Sequence, residues 1–360
     1  AGTLTGGANG VSLAGTAVLQ DGAVADAEIT SSALQTSGAV AVNRIVTATS
    51  ISVNSGTLTL GAANLMAALP ATRLAGTLDG SGTLTASSLQ ANGTGAAVQG
   101  SLAIDGAGNA TVADAGRLTV GTGGSVSFGT GEFRLGNASE LAFTRSGNFS
   151  VGNVTGTSAG ILTHGGSGTL TFTGAAANVT AWRVNGGGTL AMDGTAADLA
   201  TLDISANSSL ALGNNSGTRL NNAAAVTVAT GSSLVTGNSA ETVGGLTLAG
   251  TLGGSATLNA SNYILQTGST VNAPLGAGTL RVTGAAQLNS AAAAGTVRVE
   301  NGGTLTMGAT GSLNTGAGVT VDTGGTLALG AATNTVGTLQ LGGTLDGTGL
   351  VAAPSARVPP

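Results

Sequence analysis

The chain has 360 residues, of which 64 are glycine and none is cysteine, with 2% aromatic and 7% charged residues, a composition far from that of an ordinary globular domain. All ten basic residues are arginine and face fifteen acids, for a formal charge of −5, which argues against nucleic acid because phosphate neutralisation needs a basic surface. Without cysteine there is no disulfide framework, thiolate metal site or cysteine nucleophile, while a hydrophobic fraction of 41% is too high for simple disorder.

From the N-terminus, Ala1 opens without a methionine, a basic n-region or an apolar h-region, so any signal peptide is expected to lie outside the chain. Asp21, Asp26 and Glu28 form an early acidic cluster. Thr57-Leu-Thr-Leu60 is a short alternating stretch of the kind that makes a strand with one buried face. The longest apolar run, Ala62 to Ala71, is broken by Asn64 and Pro70 and falls short of the roughly 18 residues of a membrane helix.

Between Val126 and Val151 the pairs Val126/Phe128, Phe133/Leu135, Leu141/Phe143 and Phe149/Val151 follow one another at nearly even steps. Glu132, Arg134, Glu140 and Thr144 take the opposite parity, so they are expected to face water while the apolar set faces a lumen. Three short strands per turn of about 23 residues suit a parallel β-helix. One turn on, Phe149 is expected over Val126 and Val151 over Phe128. Gly186 to Gly188, Gly302-Gly303 and Gly324-Gly325 read as corners.

Repetition supports the same architecture. Trp182-Arg-Val-Asn-Gly-Gly-Gly-Thr-Leu-Ala-Met192, Val297-Arg-Val-Glu-Asn-Gly-Gly-Thr-Leu-Thr-Met307 and Val319-Thr-Val-Asp-Thr-Gly-Gly-Thr-Leu-Ala-Leu329 align without a gap, and the step from Val297 to Val319 is the length of one such turn. A looser module recurs at Gly76 to Leu84, Gly250 to Leu258 and Gly343 to Leu350. No stretch has a convincing helical period, which removes helical repeats and βαβ folds.

Thr163-His-Gly-Gly-Ser-Gly-Thr-Leu-Thr-Phe-Thr-Gly174, then Asn178 and Val184-Asn-Gly-Gly-Gly-Thr-Leu-Ala-Met192, resembles the autotransporter-associated β-strand repeat. The resemblance is good from Thr163 to Met192, and scattered Gly-Thr-Leu corners extend a weaker likeness over most of the chain. It departs at Ala176, Ala177, Val179 and Trp182, where the repeat is usually richer in Tyr, Thr and Gly. It implies a right-handed β-helical passenger domain exported through the periplasm and outer membrane of a Gram-negative bacterium, attached to a membrane barrel that this chain does not contain.

Few residues in the chain carry reactive chemistry. His164 is the only histidine, which excludes a two-histidine zinc site and leaves a structural or solvent-exposed role as the expectation. Gly165-Gly-Ser-Gly168 begins like a calcium nonapeptide, but Leu170 stands at the ligand position. Asp193, Asp198 and Asp203 are regularly spaced, as a polysaccharide-cleaving β-helix would require of its acids, yet Trp182, Tyr263 and five Phe are few for a sugar-binding groove. The acids read as soluble turn residues, and the Asn-x-Ser/Thr triplets at Asn148, Asn153 and Asn178 follow from composition. Thr-x-Thr stretches at 57/59, 83/85, 169/171/173 and 304/306 suggest an outward array for ice or a crystalline surface, but their spacing is not once per turn.

The expectation is an all-β, right-handed parallel β-helix over residues 1–351, three short strands per turn of about 22 residues, with a Pro-rich linker stub over 352–360. The expected role is a non-enzymatic surface or secreted scaffold or adhesin, with no catalytic, metal or cofactor residues. Its partner would be a surface or matrix receptor, a glycan or like chains. A polysaccharide-active enzyme and a self-assembling fibre subunit are the alternatives.

Overall fold

The computed structural model describes residues 2–5, 10–61, 66–69, 71–81, 83–100, 103–105, 108–121, 123, 125–127, 131–214, 217–331 and 333–357. Among these, parallel strands stack as a β-solenoid of about 16 turns with three strands per turn and no helix. The chain divides into two compact units, Ala1–Ala181 and Trp182–Pro360.

In the first unit one ladder can be followed turn by turn through Ala39, Thr57, Thr77, Ala97, Thr119, Ala142 and Thr163. Its turns differ in length, the shortest running from Ala39 to Thr57 and the longest from Thr119 to Ala142. The next residue on each rung points inward, giving the buried column Val40, Leu58, Leu78, Val98, Val120, Phe143 and His164. Such a column forms because side chains alternate along a strand while parallel register stacks like positions.

The parity expected around Phe133 holds. Phe133, Leu135, Leu141 and Phe143 are buried, Arg134 is exposed, and Glu132, Glu140 and Thr144 lie half-buried at the edge. Phe133 meets Phe143 edge-on with centroids 6.1 Å apart, and Phe143 tilts against Phe149 at 5.3 Å. Phe149 itself is only half-buried, with Arg145 packed over its ring at 4.8 Å. It stacks under Leu170, and Val151 under Phe172. The expectation for Phe128 lies outside the described residues, as does the Val126 side chain.

The second unit repeats the design through Thr201, Ala225, Gly245, Asn262, Thr279, Thr296, Gly318, Thr338 and Ser355. Here the turn from Thr201 to Ala225 is the longest, and the three from Gly245 to Thr296 are among the shortest. The inward column is Leu202, Val226, Leu246, Tyr263, Leu280, Val297, Val319 and Leu339, all buried. Tyr263 is accepted among aliphatic side chains because its hydroxyl donates to the Leu258 carbonyl at 3.0 Å and accepts the Ala260 N–H at 2.7 Å. Within the segment expected as a linker, Ser355–Arg357 pairs in register with the strand below it.

The glycine content follows from how turns touch at the corners. The Asp21 Oδ1 accepts the Ala39 N–H at 2.8 Å, Asp114 Oδ1 that of Asn137 at 2.7 Å, and Asn153 Oδ1 that of Ala175 at 2.9 Å. In each case the residue before the donor is a glycine, and a Cβ on Gly38, Gly136 or Gly174 would stand 2.5 Å from the capping oxygen. The side chain of one turn thus occupies the space that the glycine of the next leaves open.

Candidate functional site

A third inward column shows where the solenoid departs from an aliphatic interior. Ala196 bridges to Leu220, and further along Glu241 pairs with Leu258, which bridges to Leu275. Glu241 therefore holds a core position and is 0% exposed. Its two oxygens each lie 3.0 Å from the Arg219 N–H, and Oε1 also accepts the Leu220 N–H at 2.9 Å. The carboxylate thus performs at this rung the task of a ladder carbonyl. Arg219, itself buried, supplies a neighbouring positive charge. Burial pushes the Glu241 carboxyl above its ordinary range, opposed by the two N–H donors and by the Arg219 charge.

The segment held in this way belongs to the longest turn of its ladder, from Thr201 to Ala225. The extra length lies between the strands Ser209–Leu212 and Ala225–Val228. Beside it is a cavity of about 400 Å³, formed by Thr195 and Ala197 on one turn and by Thr218 to Asn222 on the next. The Ala196 N–H donates to the Arg219 carbonyl at 2.7 Å and joins the two walls. The Asn221 Oδ1 accepts the Ala223 N–H at 2.9 Å, which orients its amide.

The residues singled out from the sequence do not line this cavity, although Asp198 directly follows Ala197. His164 is buried and stacks on Phe143, with Nε2 3.0 Å from the Gly168 carbonyl, so that nitrogen carries the proton. Burial lowers the basicity of its ring, against smaller opposing contributions from the Gly168 and Phe143 backbone. Asp193, Asp198 and Asp203 are exposed, and Asp193 packs under Gly213. The early acids serve the corners: Asp21 caps Ala39, and Asp26 accepts the Asn43 amide at 2.6 Å. Trp182 and Tyr263 are core residues, at 1% and 0% exposure. Among the described residues no three His, Asp or Glu side chains group as metal ligands.

Threonine behaves differently from the spacing argument. Thr189, Ser209, Ser233, Thr251 and Thr270 are register partners on five consecutive rungs of one sheet, followed by Gln287 and Thr306. The Ser233 hydroxyl donates to that of Ser209 at 2.9 Å. All seven are half-buried or exposed, on the face away from the lumen. Hydrogen-bonding side chains therefore do recur once per turn, and of the residues in the pairs that the sequence suggested Thr306 stands among the seven. The steps between the first five are uneven, longest from Ser209 to Ser233 and shortest from Ser233 to Thr251, which conceals the column from any count at fixed period.

No protein-family model, curated protein or solved structure matches the chain. The fold itself defines the class, a parallel β-solenoid repeat protein.

Proposed function

We propose that this chain is a non-enzymatic, surface-exposed or secreted scaffold or adhesin of a Gram-negative bacterium, the exported portion of an autotransporter-like protein. The observation that carries the reading is the outward column of Thr189, Ser209, Ser233, Thr251 and Thr270. Repeated uncharged hydroxyls at one rung spacing form a lateral surface suited to a partner engaged along its length rather than at one catalytic point. The burial of Trp182, Tyr263, Phe133 and Phe143 supports it further, because the rings that would form sugar platforms in a cleaving groove are in the core instead. The resemblance of Thr163 to Met192 to the autotransporter-associated repeat supplies the cellular setting.

The test is adhesion of labelled chain to host cells, matrix proteins and immobilised polysaccharides, with reducing ends assayed in parallel. Binding without turnover, weakened by Ser233→Val with Thr251→Val, is the expected result. Reducing-end release that is abolished by Asp198→Asn would replace the reading with an enzyme. Concentration-dependent filaments in negative stain would replace it with a fibre subunit.

A further inference from the structure

We propose that the cavity between Thr195–Ala197 and Thr218–Asn222 is a binding site for a single neutral saccharide unit. The proposal goes beyond the lateral hydroxyl column and rests on the adhesin reading only in taking the sugar to be held rather than cleaved.

The cavity lies at a lengthened corner of the solenoid. A solenoid keeps its strands constant and puts added residues into corners, and such insertions gather on faces that bind. The turn from Thr201 to Ala225 is the longest of its ladder, and its added segment forms one wall of the cavity. A volume of about 400 Å³ lies within the range of small-molecule sites, roughly 300 to 1,000 Å³.

The lining gives the chemistry. Thr195 and Thr218 bring hydroxyls, Asn221 and Asn222 bring carboxamides, and Ala197 leaves a short apolar floor. Hydroxyls and amides both donate and accept, as a ring of sugar hydroxyls requires. The Asn221 Oδ1 is engaged by Ala223, a bond that does not use its Nδ2 donors. Charge decides between sugar classes. Arg219, the one ionic residue of the lining, is 3% exposed, so a sulfated or carboxylated sugar would have no exposed cation to meet.

The site is also held in shape before any ligand arrives. Glu241 grips the backbone of Arg219 and Leu220 from the next turn, and Ala196 ties Arg219 to the opposite wall. Fixed donors and acceptors reduce the ordering cost of binding.

Saturation-transfer NMR on the whole chain tests this with methyl glycosides of glucose, galactose, mannose and N-acetylglucosamine, and with sulfated galactose. The variants are Asn222→Ala and Thr195→Val, both at exposed positions, with circular dichroism to confirm the fold. The expected result is transfer to at least one neutral glycoside and affinity weakened about tenfold per variant, the loss of roughly one neutral hydrogen bond. Transfer unchanged in both variants would overturn the cavity and leave the adhesin reading standing. A preference for the sulfated probe would overturn the neutral class. No transfer to any probe would overturn the site, while cell adhesion separately decides the adhesin reading.

Discussion

Replacing Phe143 by alanine removes a ring that lies in the inward column between Val120 and His164, 1% exposed, with Phe133 edge-on and Phe149 tilted against it. Truncating a buried Phe costs about 3 to 5 kcal/mol, combining lost transfer free energy with the cavity left behind. Two aromatic partners, each contributing on the order of 1 kcal/mol beyond area, place this site toward the upper end. The control is Arg134→Ala, whose side chain is 57% exposed and paired to Glu132 at 3.0 Å, where the loss should stay under about 1 kcal/mol. The effect should also be local, because each turn of a solenoid touches only its neighbours. Hydrogen exchange read by mass spectrometry reports both features. Amides around Val120, Leu141 and Leu162 should lose protection in the Phe variant, while those around Leu280 and Val297 keep theirs. Equal, small effects of the two substitutions would mean that the inward and outward parity of this strand is misassigned.

Gly80→Ala should destabilise by about 1 to 3 kcal/mol in chemical denaturation, because φ is +128° there and a Cβ would collide with the Leu60 carbonyl oxygen; a neutral outcome would contradict that corner geometry. Glu241→Ala should cost about 2 to 5 kcal/mol by the same assay, since it leaves the Arg219 and Leu220 N–H groups in the interior without their acceptor, and a loss below about 1 kcal/mol would refute the clasp. For His164, burial holds the folded pKa below the unfolded value of about 6.5, so the unfolded chain takes up the proton first. That contribution to stability is complete above about pH 7 and declines as pH falls from the unfolded value toward the folded one. Thermal midpoints at pH 7 and pH 5 should therefore drop further in the wild type than in His164→Leu, and equal drops would show that the ring is not held neutral by burial.

What could be read from the sequence was whatever depends on alternation alone. The parity of Phe133, Arg134 and Leu135 survives any change of turn length, because the period of a strand is two. The step from Val297 to Val319 was legible because that pair does stack directly. The hydroxyl column was not, since the step from Ser209 to Ser233 is much longer than the one from Ser233 to Thr251. The burial of His164, for which a structural or solvent-exposed role was expected, and the core place of Glu241 were hidden for another reason. Each stands in the sequence among turn-forming residues, where a polar side chain reads as solvent-facing. Yet His164 shares the parity of buried Leu162, and Glu241 that of buried Val243, so the strand pattern held a signal that residue type overrode.

Two buried polar side chains, Glu241 and Asn334, stand beside turns that change length. Strands of equal register satisfy one another's N–H groups, but added residues in a corner bring N–H groups that no ladder carbonyl is placed to meet, and leaving them unpaired in the interior is costly. In the long turn from Thr201 to Ala225, the N–H groups of Arg219 and Leu220 are met by Glu241 from the following turn. In the turn from Thr296 to Gly318, longer than the three before it, the Leu313 N–H is met at 2.8 Å by the Oδ1 of buried Asn334, again from the following turn. In the turn from Thr119 to Ala142, the longest of the first unit's ladder, the Glu132 and Asn137 N–H groups are met from the preceding turn by Asn109 and Asp114. In these long turns a side-chain oxygen on an adjacent turn meets corner N–H groups, as Asp21 also does in a short one, and in the turns held by Glu241 and Asn334 it does so without opening the interior. That places the proposed sugar site beside Glu241 for a physical reason: the longest corner provides the walls, and the carboxylate that satisfies its backbone also holds them still.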